Sequence, residues 1–399
     1  FLGRNCSSHP CGLRKSSQPK EKKSNMIIGF DINEANIGQR VGVNQVAFAV
    51  FRAIAMALPQ GDRIIALTKE RPLPDLPSPS EKLVYEIFGP KKLWVLTGLT
   101  KRLFFNQPKI DVLFSPSHYT PLLSRVPSVI YLMDLSYERF GTDYFTAYDI
   151  NQLKRWTPLS IRKARHVLTI SEFSKSEIVN LYHTNPDKIS VVYPGFDRDT
   201  YHSKIPLTKQ IQVRKKYGLT GKYLLYVGTL QPRKNLNRLV EAFAKLKNKQ
   251  VKLVIGGKKG WLYDQIFDQV KGLKLENRVL FLGFVPNEDL PGLIKGAVAY
   301  VLPSLYEGFG MPPVEAQAVG VPVVVSRLSS LPEVVGASGI YIDDPHSVDS
   351  IKEALEKVIS QTKNDRQAII EVGKENTKRF DWAHSAAKLL SILHQVAGK

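Results

Sequence analysis

Short apolar runs recur along the chain and alternate with stretches in which apolar residues return every third or fourth position. The runs at 27–31, 63–67, 111–114, 127–132, 166–170 and 189–193 predict strands in the first half, and 44–58 predicts a helix with one apolar face. Residues 71–80 hold four prolines and predict a loop, or a break before another helix. In the second half, runs at 223–227, 251–255, 279–285, 298–301 and 321–325 predict strands. Residues 348–360 predict a helix, and a last helix begins near Trp382. This alternation predicts an α/β chain of parallel, doubly wound sheets, in which ligands bind at the carboxyl ends of strands.

A chain of 399 residues favours two domains of ordinary size. The boundaries read as a basic extension at 1–25, disordered or foreign to the fold, a first domain at 26–200, a second at 201–375 and a returning segment at 376–399. Met26 stands just before the first strand and reads as a native start. The extension holds both cysteines, Cys6 and Cys11, and has no apolar stretch of the kind a secretory signal needs. With no cysteine in the body, no disulfide and no cysteine metal site is expected there, which suits a cytoplasmic location.

The most informative stretch is 302–315, between two strands. It carries Glu307, Gly308, Phe309 and Gly310, then Pro312, Pro313 and Glu315. Proline suits the first turn of a helix. Backbone N–H groups at a helix start can face an anion, while a carboxylate accepts hydrogen bonds from hydroxyl groups. Phosphate donors beside hydroxyl acceptors describe a nucleotide sugar. A second strand-to-helix turn carries Gly228, Thr229, Arg233 and Lys234. Arginine forks two bonds to a phosphate and lysine adds a point charge. The glycines at 256–260 lack the Lys-Ser/Thr ending of a P-loop, which excludes that ATPase motif.

The string Glu-Gly-Phe-Gly-x-Pro-x-x-Glu at 307–315 resembles the paired-glutamate motif of the retaining glycosyltransferases of family 4, and residues 223–236 resemble the element that opens their donor domain. The resemblance covers roughly 26–399 and implies the GT-B fold, two Rossmann-like domains facing a cleft. It implies transfer of a sugar from a nucleotide sugar to a hydroxyl acceptor with retention, with no cofactor and no metal. Glu307 would contact the donor sugar and Glu315 the ribose. Arg233 and Lys234 would hold the leaving diphosphate. Gly228, Thr229, Gly308, Phe309, Gly310, Phe284 and Val285 would complete the donor site. In the first domain Gly42, Asp134, His118 and Ser171 would meet sugar or acceptor, although Ser171 equally suits a helix N-cap. Relatives often carry His-Asp where this chain has Met133-Asp134, and methionine cannot donate a hydrogen bond. Residues 115–140 are most similar to mannosyltransferase-type members in polysaccharide biosynthesis, which favours GDP-mannose over UDP-sugars.

The formal charge of +20, of which 1–25 supply +5, fits phosphorylated or anionic partners. No nucleic-acid-binding signature accompanies it, so no nucleic acid is expected. Residues 91–105 mix Lys91, Lys92, Lys101 and Arg102 with Trp94, Leu96, Leu99, Leu103, Phe104 and Phe105, without an acid. As a helix the segment would lie on an anionic membrane surface, giving peripheral contact and a glycan or lipid-linked acceptor. Packing on the sheet would use the same apolar residues. A sugar-nucleotide epimerase of the same fold and a basic, non-enzymatic binding protein are the alternatives.

Overall fold

The computed structural model describes residues 25–40, 42–141, 146–258, 260 and 264–399. The expectations for residues 1–24, including both cysteines, lie outside the described residues, as do Val41 and Lys259 of the two glycine-bearing loops.

The first sheet has seven parallel strands in the order β3-β2-β1-β4-β5-β6-β7. They are β1 Ile27–Asp31, β2 Arg63–Thr68, β3 Leu83–Ile87, β4 Val112–Ser115, β5 Ser128–Leu132, β6 His166–Thr169 and β7 Ile189–Val191. Helices α1 Val43–Ala57, α2 Thr100–Phe105, α3 Ser136–Phe140, α4 Ala147–Lys163 and α5 Glu172–Tyr182 connect them. The central strands are wholly buried because both faces are covered, which is why they read as unbroken apolar runs. Phe30 meets Phe51 of α1 and Phe114 of β4 edge-on, each at 4.9 Å between ring centroids.

The second sheet has six parallel strands in the order β10-β9-β8-β11-β12-β13. These are β8 Tyr223–Val227, β9 Lys252–Gly256, β10 Val279–Gly283, β11 Ala299–Leu302, β12 Val323–Ser326 and β13 Gly339–Ile342. Around them lie α6 Leu207–Lys216, α7 Leu236–Ala244, α8 Asp264–Gly272, α9 Leu290–Lys295, α10 Met311–Val319, α11 Leu331–Val335, α12 Val348–Ile359 and α13 Lys363–Thr377. The strand order reverses between β1 and β4 in one sheet and between β8 and β11 in the other. At such a switch point the loops leave in opposite directions and open a crevice.

The last helix, α14 Trp382–Ala397, leaves the second domain and packs on α1 of the first. Asp381 caps its first turn by accepting from the His384 N–H at 3.0 Å. Ser385 Oγ donates to the Tyr193 carbonyl at 2.5 Å. Buried Leu389, Leu390 and Leu393 fasten it, each such leucine contributing about 1.5–3 kcal/mol relative to exposure.

Two sequence expectations need correction. Strand β3 was not foreseen, because an edge strand with Val84 outward and Glu86 on its rim has no continuous apolar signature. Residues 91–105 do not form one amphipathic surface helix. A π-helical turn, Val95–Leu99, runs into short α2, and Trp94, Leu99 and Leu103 are buried with Leu67, Leu113 and Val126. Arg102 forks onto Glu86 at 2.6 and 3.0 Å. What remains outside is Leu93, Phe104 and Phe105, with Lys91, Lys92 and Lys101.

Candidate functional site

The switch point of the second sheet carries both loops singled out in the sequence. The chain leaves β8 at Val227 and reaches Arg233 and Lys234 in a 3-10 turn, Pro232–Lys234, just before α7. It leaves β11 at Leu302 and reaches Glu307 before α10. The Leu305 N–H donates to the Arg233 carbonyl at 2.8 Å, which zips the two loops together.

Arg233, Lys234 and Glu307, assigned separate tasks from the sequence, form one ion cluster. Lys234 Nζ lies 2.5 Å from Glu307 Oε1, and Arg233 Nη1 lies 3.5 Å from Oε2. Ser304 Oγ donates to Glu307 Oε1 at 2.7 Å. Arg233 Nη1 also donates to the Tyr306 carbonyl at 3.0 Å. Asp134, across the cleft, brings Oδ2 within 3.9 Å of Arg233 Nη2. Burial alone would raise the Glu307 carboxyl, but Lys234 and Arg233 outweigh it and hold the group below its ordinary value. Burial and the neighbouring Arg233 pull the Lys234 ammonium down. The Arg233 guanidinium resists burial because Glu307 and Asp134 hold its charge.

A carboxylate has about four acceptor positions. Lys234, Ser304 and Arg233 occupy three of them at Glu307, and one on Oε2 remains. Serines fix the backbone of the same loop. The Glu307 N–H donates to Ser329 Oγ at 3.0 Å, and Ser330 Oγ lies 2.9 Å from the carbonyls of both Glu307 and Phe309. Among the described residues, the N–H groups of Gly308, Phe309 and Gly310 donate to no other group. They stay available at the head of α10. Sequence reasoning missed Ser329 and Ser330, more than twenty residues downstream with no local signal; Ser304, three residues before Glu307, is the one that spacing alone hints at.

Glu315 lies in the second turn of α10, because the helix begins at Met311. It is half-buried, and burial, with a smaller push from Asp197, raises its carboxyl to about 7. Gly228 and Thr229 sit where β8 ends. Phe284 is 58% exposed with Lys258 Nζ 5.2 Å over its ring, and Lys258 also reaches Gln39 of the first domain at 2.6 Å. Val285 departs from expectation. Its side chain is buried in the core, against Gly256.

In the first domain, Gly42 caps α1 with a φ of 54°, a backbone conformation that side chains disfavour. Met133 is buried, and Asp134 Oδ1 accepts from the Ser136 N–H at 2.6 Å. His118 stands beside them, edge-on to Tyr137 at 5.6 Å. Its Nδ1 is buried and, among the described residues, has no hydrogen-bond partner. Burial pushes its imidazole down to about 4, against the pull of Asp134, so the ring is neutral at physiological pH. Ser171 was expected to touch sugar or acceptor. It is instead fully buried, caps α5 through the Ser174 N–H at 3.0 Å and donates to the Gly308 carbonyl at 2.7 Å. Gly308 has to be glycine for the same reason: a Cβ there would stand 2.4 Å from the Met133 carbonyl oxygen.

Among the described residues, no group of three or more potential metal-ligating side chains comes together, and no helix is long and apolar enough to cross a membrane. Asp343 and Asp344 follow β13, and Asp343 is ion-paired to Arg327 at 2.6 Å.

Known proteins share this architecture. HepE of Anabaena, solved with UDP and glucose, aligns at a TM-score of 0.70 over 93% of this chain and 99% of its own, at 20% identity. Sucrose-phosphate synthase of Thermosynechococcus elongatus aligns at 0.72, also over 93% and 99%, at 18% identity. These likenesses show the GT-B fold. In sequence, O-antigen chain mannosyltransferase B of Escherichia coli is 36% identical over 58% of this chain, and D-inositol 3-phosphate glycosyltransferase of Mycolicibacterium smegmatis is 30% identical over 58%. The matched stretch spans only 61% and 53% of those two proteins. Residues 42–200 match the model described as Glycosyltransferase Family 4, and residues 209–376 match Glycosyl transferases group 1. With one model over each sheet, the chain carries a Glycosyltransferase Family 4 domain followed by a Glycosyl transferases group 1 domain.

Proposed function

We propose that the chain transfers a sugar, mannose from GDP-mannose in the first instance, from a nucleotide sugar to a hydroxyl of a glycan or lipid-linked glycan, with retention at the anomeric carbon. The observation that carries this reading is the Arg233–Glu307–Lys234 cluster, held at the β8/β11 switch point beside three free N–H groups. In transfer, the bond from the anomeric carbon to the diphosphate oxygen breaks, the acceptor oxygen takes its place on the same face, and the acceptor proton passes to the departing diphosphate. Arg233, Lys234 and the N–H groups of Gly308, Phe309 and Gly310 stabilise the charge that grows on the diphosphate. Glu307 offers its remaining acceptor position to a donor hydroxyl and keeps both cations oriented. Phe284 presents a flat face to the base, and Glu315 accepts from the ribose. His118 and Asp134 face the acceptor.

The mannosyl preference rests on the similarity to the Escherichia coli mannosyltransferase. The UDP bound in HepE makes UDP-sugars the other arm of the test. Incubating the chain with GDP-mannose, UDP-glucose and UDP-galactose, with and without glycan acceptors, is expected to give acceptor-dependent release of GDP and an α-linked product by NMR. Release of an altered free sugar nucleotide with no acceptor would favour an epimerase instead. No turnover, with binding to polyanions that collapses in salt, would favour a basic binding protein.

The same proposal has the acceptor presented at an anionic membrane surface. Phe104 and Phe105 are 54% and 65% exposed, Leu123 is 74% exposed, and Arg125 lies 6.0 Å over the Phe104 ring, with Lys101 alongside. Each cation near such a surface contributes about 1 kcal/mol. Sedimentation with anionic vesicles is expected at low salt and lost at high salt, and Phe104→Ser with Phe105→Ser is expected to abolish it. Equal binding to neutral vesicles would rule out this docking.

A further inference from the structure

The two domains meet through a contact that no substrate makes. Helix α5 of the first domain begins at Glu172, and its leading N–H groups have no partner within the helix. Glu333, on α11 of the second domain, receives two of them: the Glu172 N–H at 2.8 Å on Oε1 and the Phe173 N–H at 3.1 Å on Oε2. A carboxylate at a helix N-terminus meets the positive end of the helix dipole as well. On the other side of the same helix start, Ser171 Oγ and Ser174 Oγ donate to the Gly308 carbonyl at 2.7 and 3.3 Å. Phe140 and Phe173 close on Tyr306 edge-on, at 5.9 and 5.4 Å between centroids.

We infer that Glu333 is the closing latch of the cleft and a positioning residue for Glu307. The latch joins only across the domain boundary, so it exists when the cleft is shut and parts when it opens. Its second half grips Gly308, the residue next to Glu307, and Ser330, three positions before Glu333, grips the Glu307 carbonyl. Closure therefore sets where the Glu307 loop stands against Met133 and Asp134. Glu333 touches no reacting atom. It acts through the backbone it pins, and it offers each closed molecule two charge-assisted hydrogen bonds.

This inference rests on the sugar-transfer reading for its kinetic part only. Small-angle scattering of the whole chain, with and without GDP or UDP, tests the latch without any acceptor. Glu333→Ala is expected to enlarge the radius of gyration and to hold the chain open when nucleotide is bound. Glu333→Gln, which keeps one oxygen acceptor, is expected to fall between it and the wild type. Ser171→Ala should open the cleft from the opposite side. In transfer assays kcat is expected to fall at least tenfold in Glu333→Ala while the Kd for free nucleoside diphosphate stays within twofold, the split that a positioning role gives. An unchanged radius in both variants would overturn the latch, and so would an unchanged kcat in an enzyme that does turn over. A wild-type chain that turns over no nucleotide sugar fails the functional reading alone, since the scattering still judges the latch.

Discussion

The two rims of the cleft are built differently. On the second-domain rim every charged group of the ion cluster is gripped by others: Lys234 and Ser304 on one oxygen of Glu307, Arg233 near the other, and Ser329 and Ser330 on the backbone. On the first-domain rim the chemistry is looser. Among the described residues, His118 has a buried ring nitrogen without a partner, and Met133 is a buried side chain that cannot donate a hydrogen bond. The contrast teaches that one rim is organised before any ligand arrives, whereas the other leaves polar capacity for a ligand to satisfy. A fixed cationic site facing a rim with unsatisfied polar capacity fits the proposed division of labour, with the diphosphate of the donor on one rim and a hydroxyl acceptor on the other.

The largest effect expected from this contrast is on stability. Lys234→Ala leaves Glu307 buried with much of its charge uncompensated, which costs roughly 3–5 kcal/mol. Adding Glu307→Gln should recover much of that loss without restoring turnover. Urea denaturation measures both. On the opposite rim, His118→Ala is expected to change stability by no more than about 1 kcal/mol and to raise the KM for acceptor instead. Equal stability losses at the two positions would erase the distinction between the rims.

Ser304→Ala should fall between these, costing about 1–3 kcal/mol for a hydrogen bond to a buried carboxylate. It should also lower kcat more than it changes donor KM, because Glu307 loses its orientation.

A smaller effect concerns pH. The Glu315 carboxyl is raised to about 7 in the folded chain, above its ordinary 4.5. The folded state therefore holds the extra proton between those values, and stability falls as pH rises through that window. Ribose hydroxyls donating to the carboxylate would favour its charged form, so nucleotide binding would release a proton. Affinity for GDP or UDP is then expected to strengthen from pH 6 to pH 8, with proton release seen by calorimetry in buffers of different ionisation enthalpy. Glu315→Gln should remove the part of that dependence due to the protein. The same slope in the variant would take Glu315 away from the ribose.

Much of the second-domain rim was legible because strand, glycine turn and helix stand together within residues 302–320 and 223–244, so local pattern carried the site. What could not be read depends on distance along the chain. Ser329 and Ser330 meet Glu307 only because β12 runs beside β11, and Glu333 meets α5 across more than 150 residues. Ser171 was legible as a cap, but its second partner, the Gly308 carbonyl, belongs to the other domain. The apolar residues of 91–105 divided between core and surface according to how α2 sits on the sheet, and composition holds no record of that.

The central claim is that Arg233 and Lys234 hold the diphosphate of the donor. Calorimetric titration of GDP and of UDP into the wild-type chain and into the Arg233→Ala, Lys234→Ala, Glu307→Gln triple variant tests it most directly, the third change removing the stranded carboxylate. Losing charged hydrogen bonds worth about 1.5–3 kcal/mol each should weaken binding at least tenfold in a variant that circular dichroism shows to be folded. A folded triple variant that binds the nucleoside diphosphates as tightly as the wild type would contradict the assignment.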